Sequence, residues 1–547
     1  MKYPNHVKRA AALLGALALA LSACAMPDFD YRNRAGDSTT ATDKASNTPK
    51  ASETATSSPS PTQTDTPSPQ PTETETPDDG AIAWAACNDV AAGAQCATIE
   101  APLDWALPDG EQIELALARI PASDQANRIG SLLINPGGPG GSGIDSLEYL
   151  YSGISPEVQG ISPEVQAVYD VLAFDPRGVG QSTPISCYQT TEEQDAFWSA
   201  TWPSTPEGYE ASVEVIQPFI DACVANSGAI LGFVDTKSAA RDMDLIRQLV
   251  GDDELYYLGY SYGTQLGATY AELFPDKVGR LVLDGAVDMS LSSAEHELSQ
   301  ARGFEAALGA YVEDCLASAL TCPLTGPKEN ALSQIHDMLL AIEAEPMPTL
   351  MGRDLTLPLA LNGVIVPMYD DRSWYILSLA LDEALNNNDG SYLLYLSDYY
   401  LDRGDDGEYT SNSMVAFYAI NLLDAPMAYD LASVEAHAAA LAEASPTIGE
   451  FWGYGEKIYE LWPYDPVDEP HAPSAPGAKP IVVIGTTGDP ATPYSEAQAM
   501  AEQLESGVLL TWEGEGHTAY GRSNDCIADA VDTYLLDGTP PAEGLVC

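Results

Sequence analysis

The run ELYYL is followed directly by Gly259-Tyr260-Ser261-Tyr262-Gly263, a serine held between two glycines. Many long chains contain a G-x-S-x-G by chance, so its meaning depends on what else the chain supplies. A serine hydroxyl attacks only when a neighbouring base takes its proton, and that base is nearly always histidine. The chain has six histidines. His6 lies in an apolar leader, His296, His336 and His437 lie in stretches of helical spacing, and His471 lies in a proline-rich connector. His517, in Gly514-Glu515-Gly516-His517-Thr518, follows an apolar β-rich run, where a loop can bring it over a serine at the end of a neighbouring strand. The imidazole in turn needs a carboxylate to hold its tautomer and to stabilise the imidazolium. Asp489, in Thr487-Gly488-Asp489-Pro490, stands just past another such run, and Asp284 and Asp288 are rivals after GRLVL.

Elements of a particular kind must position these groups. SLLINPGGPG (131–140), VYDVLAFDPRG (168–178), ELYYLGYSYG (254–263), GRLVLDGAVD (279–288), KPIVVIGTTGDPATP (479–493) and SGVLLTWEGEGHT (506–518) are apolar runs that end in turns. Stretches of helical spacing alternate with them, as in TQLGATYAELF. That alternation predicts a mainly parallel sheet covered by helices on both faces, with the site at the C-terminal ends of the strands. The chain order Ser261, Asp489, His517 is the order of the α/β-hydrolase fold, in which the serine sits on a sharp strand-to-helix turn. Residues 290–475 interrupt the pattern with helical stretches and are expected to form an inserted cap. The expected division is therefore core 81–289, cap 290–475, core 476–547. The immediate duplication GISPEVQGISPEVQ (153–166) carries two Ser-Pro-Glu helix starts and is too short for a repeat fold.

An oxyanion needs two donors. The backbone N–H of Tyr262 is one candidate, and the glycine turn Asn135-Pro136-Gly137-Gly138-Pro139-Gly140 is the source of the other. As a phosphate loop this turn is poor, because prolines remove donors and no G-K-[ST] follows. NPGGPGGSG, FDPRGVGQS, GYSYGT, GDPATP and GEGHT occur in that order. Together they resemble the secreted tripeptidyl aminopeptidase branch of the prolyl aminopeptidase-like α/β-hydrolases, over roughly residues 81–547. The resemblance implies a helical cap over the site and cleavage of peptides from a free N-terminus. It also implies Gly137 as the second oxyanion donor, and Asp175 and Arg177 as members of a structural turn. It departs from the family in the cap, where no cysteine precedes Asp424 in YAINLLD. An aminopeptidase must hold an ammonium group. Glu295, Glu305, Glu313 and Asp314 are candidates, and each suits a solvated helix face better.

The remainder of the chain bears on location. Lys2, Lys8 and Arg9 precede an apolar stretch ending in Leu21-Ser22-Ala23-Cys24, which reads as an export signal with a bacterial lipobox. Cys24 would be lipidated and the protein held outside the cytoplasm on the membrane. Residues 25–80 are a Ser/Thr/Pro-rich linker expected to stay disordered. Nine cysteines less Cys24 leave an even number, as disulfides require. Nearest-neighbour pairing gives Cys87–Cys96, Cys187–Cys223, Cys315–Cys322 and Cys526–Cys547. Zinc is the alternative, but no paired C-x-x-C occurs. A formal net charge of −58 from 81 acidic and 23 basic residues argues against nucleic acid as a partner. It suits both a solvated exported protein and a field that draws cationic substrates. The expected activity is a serine exopeptidase that releases short peptides or single residues through an acyl-enzyme, with no cofactor and no metal. The rivals are a carboxylesterase with the same triad and a non-catalytic envelope lipoprotein that binds peptides.

Overall fold

The computed structural model describes residues 82–87, 90–155, 158–318 and 322–547. The leader, Cys24 and the linker to residue 80 lie outside the described residues.

Ten strands form one sheet: β1 (Ala85–Ala86), β2 (Gln95–Pro102), β3 (Gln112–Ile120), β4 (Gly130–Asn135), β5 (Tyr169–Phe174), β6 (Leu255–Tyr260), β7 (Val278–Asp284), β8 (Ile481–Gly488), β9 (Gly507–Glu515) and β10 (Leu545–Val546). Their order is β1-β2-β3-β5-β4-β6-β7-β8-β9-β10. From β5 and β4 through to β10 all neighbours are parallel, and β1, β2 and β3 join as antiparallel strands. This is the α/β-hydrolase fold. β4 and β5 are buried along their whole length, as expected for strands with helices on both sides.

Alternate strand residues feed two cores. Leu132, Ile134, Val171, Leu258 and Val282 face the helices Gly143–Ser152, Pro163–Val168 and Asp525–Asp537. Leu133, Leu172, Tyr257, Leu281 and Val483 face Thr236–Val250, Tyr262–Leu273 and Tyr494–Gln503, and this second core continues into the cap.

The cap is the helical segment between β7 and β8, from Ser293–Ala317 to Lys457–Leu461. It is not one contiguous insert. The helices Thr191–Trp198, Pro206–Ala211 and Val213–Ser227, expected with the core, pack on the cap instead. Trp198 and Phe219 lie 5.9 and 6.2 Å from the Tyr418 ring, Tyr209 Oη donates to Tyr429 O at 2.6 Å, and Lys457–Leu461 packs on Val213–Ser227. Disulfides close Cys87–Cys96, Cys187–Cys223, Cys315–Cys322 and Cys526–Cys547.

The duplicated heptapeptide adopts two structures. In the second copy Ser162 caps the helix Pro163–Val168 by accepting from the Val165 N–H. In the first copy, where a helix start was also expected, Ser155 and Val158 form an isolated bridge in a tight turn. Contacts, not the local sequence, decide between the two. The first residues of the two copies pack against each other: a Cβ on Gly160 would sit 2.6 Å from Gly153 N.

Candidate active site

Ser261 joins β6 to the helix Tyr262–Leu273 at φ 56° and ψ −126°, a strained conformation for a residue with a side chain. The flanking glycines make the turn possible. A Cβ on Gly259 would meet Gly263 O at 2.5 Å, and one on Gly263 would meet Asn135 Oδ1 at 2.8 Å. The Ser261 N–H donates to Asp284 O at 2.8 Å, which ties the turn to the end of β7. The serine is 7% exposed and opens onto a cavity at the start of a helix, where unpaired N–H groups favour negative charge.

His517 is fully buried in the loop after β9. Its Nδ1 lies 2.8 and 2.9 Å from the two oxygens of Asp489. Asp489 also accepts the N–H groups of Ala491, Thr492 and Thr518, so its carboxylate is fixed from four directions. His517 Nε2 is buried without a hydrogen-bond partner among the described residues, which leaves it free for the Ser261 hydroxyl. The edge of the His517 ring approaches Gly285, one residue past the Asp284 carbonyl that binds Ser261.

The rival acids have other tasks. Asp284 accepts the N–H groups of Ala519 and Tyr520 and so shapes the loop that carries His517; burial pushes its carboxyl up to about 6. Asp288 binds Ser290 and Gln503. One support for His517 left no mark in the sequence. The backbone carbonyl of the cap residue Tyr369 accepts the His517 backbone N–H at 2.8 Å, and the Tyr369 ring stands edge-on to the imidazole, centroids 5.5 Å apart.

The glycine turn runs beside the serine, with one correction to the expected second donor. The Gly137 N–H is not free: it donates to the buried Asn135 Oδ1 at 2.9 Å. The glycine of this turn that lines the cavity with Ser261 and Tyr262 is Gly138. Asp175 anchors the turn by accepting Ser142 Oγ at 2.6 Å and the N–H groups of Ile144 and Gln181. Arg177 is buried, forms a two-pronged pair with Asp242 at 2.6 and 2.7 Å, and donates to the carbonyls of Pro102, Leu103 and Phe233. Both residues of the D-P-R-G turn thus hold the framework rather than face the cavity.

The cavity has a volume of about 410 Å³ and lies between the elbow and the cap. Six acidic residues line it, Asp288, Glu297, Asp424, Glu456, Asp468 and Glu469, together with His296 and His471; among the described residues no lysine or arginine does, although Lys237 pairs with Asp468 from outside the lining. None of the four acidic residues weighed as amine partners, and read first as solvated helix faces, is among them. Glu295 closes the capping box with Ser292, Glu305 binds Ser445 and Thr447, Glu313 pairs with Lys328 on the surface, and Asp314 is exposed. The sequence reading missed Glu297, on the same helix. Its side chain is 42% open, toward the cavity, although it lies deep in the fold. Burial pushes its carboxyl up to about 7; His437 opposes the rise and Glu456 adds to it. The His437 ring stands between the two glutamates, with Nδ1 3.0 Å from Glu456 Oε1 and Nε2 3.7 Å from Glu297 Oε2. Glu456 Oε2 is buried and unpaired among the described residues.

Known proteins resemble this chain over most of its length. A family profile described as TAP-like protein matches residues 445–547. The chain is 37% identical over 484 residues to the serine protease Hip1 of Mycobacterium tuberculosis, covering 85% of this chain and 91% of the relative. It is 36% identical over 475 residues to a protein of the same species named carboxylesterase B, covering 85% and 89%. To the tripeptidyl aminopeptidase of Streptomyces lividans it is 28% identical over 459 residues, covering 83% of each.

Proposed function

Because the chain belongs to the TAP-like branch of the α/β-hydrolases and is a serine hydrolase, we propose that it is an exopeptidase that cleaves peptides from a free N-terminus. Ser261 Oγ attacks the scissile carbonyl carbon while His517 Nε2 takes its proton. Asp489 holds the imidazole through Nδ1 and offsets the charge that forms there. The N–H groups of Tyr262 and Gly138 receive the oxyanion. His517 then passes the proton to the leaving amine, and water attacks the acyl-enzyme by the same route.

The observation that supports the peptide reading is the cavity wall: six acidic residues and two histidines, with no lysine or arginine among the described lining residues. A site for neutral esters has no need of such a wall, and an anionic substrate would be repelled by it. An ammonium group brings three donors and one positive charge. Glu297, whose side chain is open to the cavity, is its receptor, because paired charges attract most strongly where water is excluded. Glu297→Gln tests this directly. It is expected to raise KM for a free-amine tripeptide substrate at least about tenfold while leaving short-ester turnover within about twofold. An equal loss on both substrates would count against Glu297 as the amine receptor.

Ester hydrolysis is the second reading, and the relative named carboxylesterase B speaks for it. The reading extends to location. An extracytoplasmic protein anchored through Cys24 is supported by the leader sequence and by four disulfides, which persist in oxidising compartments.

A further inference from the structure

Tyr262 presents its backbone to the site and its ring to a buried chain of hydroxyls. Its phenol hydrogen-bonds the Thr236 hydroxyl, and Thr236 Oγ1 donates to Asp424 Oδ2 at 2.6 Å. Asp424 Oδ1 accepts the Thr236 backbone N–H at 2.7 Å. The three residues come from three elements. Tyr262 opens the helix after the elbow, Thr236 opens the core helix Thr236–Val250, and Asp424 closes the cap helix Ser413–Asp424. All three are buried.

The chemistry of the three groups fixes the direction of the chain. An ionised carboxylate only accepts, and a threonine hydroxyl has one proton. Thr236 therefore directs that proton to Asp424, and its oxygen is left to accept from the phenol. Burial pushes the Asp424 carboxyl up to about 7, with Asp235 and Asp468 as the charges that add to the rise, so the carboxylate form prevails at pH 8.

We propose that Asp424 is a positioning residue for the oxyanion hole, holding Thr236 and through it the Tyr262 ring, so that the Tyr262 N–H keeps its aim at the substrate carbonyl oxygen. The inference rests on the oxyanion role proposed for Tyr262. It also links the cap to the chemistry, since the carboxylate belongs to the cap and the donor to the core.

An amide at position 424 cannot do the same work. It offers one acceptor oxygen and one NH2 group to two Thr236 donors. One donor then faces another unless the hydroxyl reverses, and a reversed hydroxyl leaves the phenol without an acceptor.

The test uses Asp424→Asn, Thr236→Val and Tyr262→Phe in the full chain at pH 8 with p-nitrophenyl acetate, an ester with no amine to engage the other cavity carboxylates. Active sites are counted by titration with a fluorophosphonate, so misfolded protein does not lower the measured kcat. Each variant is expected to lower kcat about tenfold with KM within about twofold, a fraction of what loss of a whole oxyanion donor costs. Asp424→Asn placed on Tyr262→Phe is expected to add nothing, because both break one chain. Unchanged kcat in Asp424→Asn, a fully additive loss in the double variant, or a rise confined to KM would each overturn the positioning role. If Thr236→Val does not fold, Tyr262→Phe carries the test, since it removes only a hydroxyl. Ser261→Ala is the separate control: wild-type ester turnover in that variant would bring down the serine mechanism itself, whatever the relay does.

Discussion

Asp489 and Asp284 are both buried beside the loop that carries His517, and they hold different atoms. Asp489 meets the imidazole Nδ1, whereas Asp284 accepts the N–H groups of Ala519 and Tyr520. Asp489→Asn should therefore lower kcat by about 10³–10⁴-fold with little change in KM, because an amide can favour the wrong tautomer and carries no charge. Asp284→Asn should leave kcat within about tenfold and lower Tm, since it disturbs the loop and not the proton path. Steady-state kinetics beside thermal melts separate the two, and the opposite pattern would exchange their roles. Glu297 adds a pH dependence. Its carboxyl is raised to about 7, and only the ionised form pairs with an ammonium group. KM for free-amine peptides should thus rise as pH falls below about 7, and Glu297→Gln should flatten that rise.

At the scale of elements, the buried Arg177–Asp242 pair joins the turn after β5 to the helix Thr236–Val250, with both side chains at 0% exposure. Arg177→Met should cost about 3–5 kcal/mol, because it strands the Asp242 carboxylate in the core. Chemical denaturation measures this, and a loss below about 1 kcal/mol would mean that the pair is not a framework element. The framework strands were legible because each is an apolar run closed by a glycine-rich turn, and in a parallel sheet such turns are where sites lie. β2 and β3 were not, since both mix polar residues into partly exposed antiparallel strands and neither ends in a glycine-rich turn of that kind. The triad stood out because few histidines and few strand-end carboxylates compete for the roles. Glu297, Tyr369 and the helices Thr191–Trp198 to Val213–Ser227 did not, for a common reason. Their function depends on where long helical stretches fold back, and nothing local in those stretches encodes it. The two GISPEVQ copies make the same point, since one sequence takes two structures.

The whole molecule is strongly acidic, at −58, and it keeps many carboxyls in unfavourable surroundings. Burial raises Asp175, Asp284 and Asp402 to about 6, and Asp424 and Glu297 to about 7. A group whose pKa is higher folded than unfolded binds its proton more tightly in the folded state. Its contribution to stability is complete below the unfolded value and is lost as pH rises through the folded one. Tm should therefore rise as pH falls from about 7.5 to about 4.5, aided by reduced repulsion among surface carboxylates. Asp170, lowered against the effect of burial by the Ala122 N–H and then Arg128, and Asp195, lowered against it by Arg403, reverse the trend only in stronger acid. A Tm that falls steadily across that window would contradict the raised values. The preference proposed for the cavity, for a positive chain end, is open to one direct measurement: kcat/KM for a chromogenic Ala-Pro-Ala substrate with a free N-terminus against its acetylated twin. The free substrate should be cleaved at least about a hundredfold faster. Equal cleavage of the two, or turnover of a short ester with both peptides untouched, would contradict an aminopeptidase.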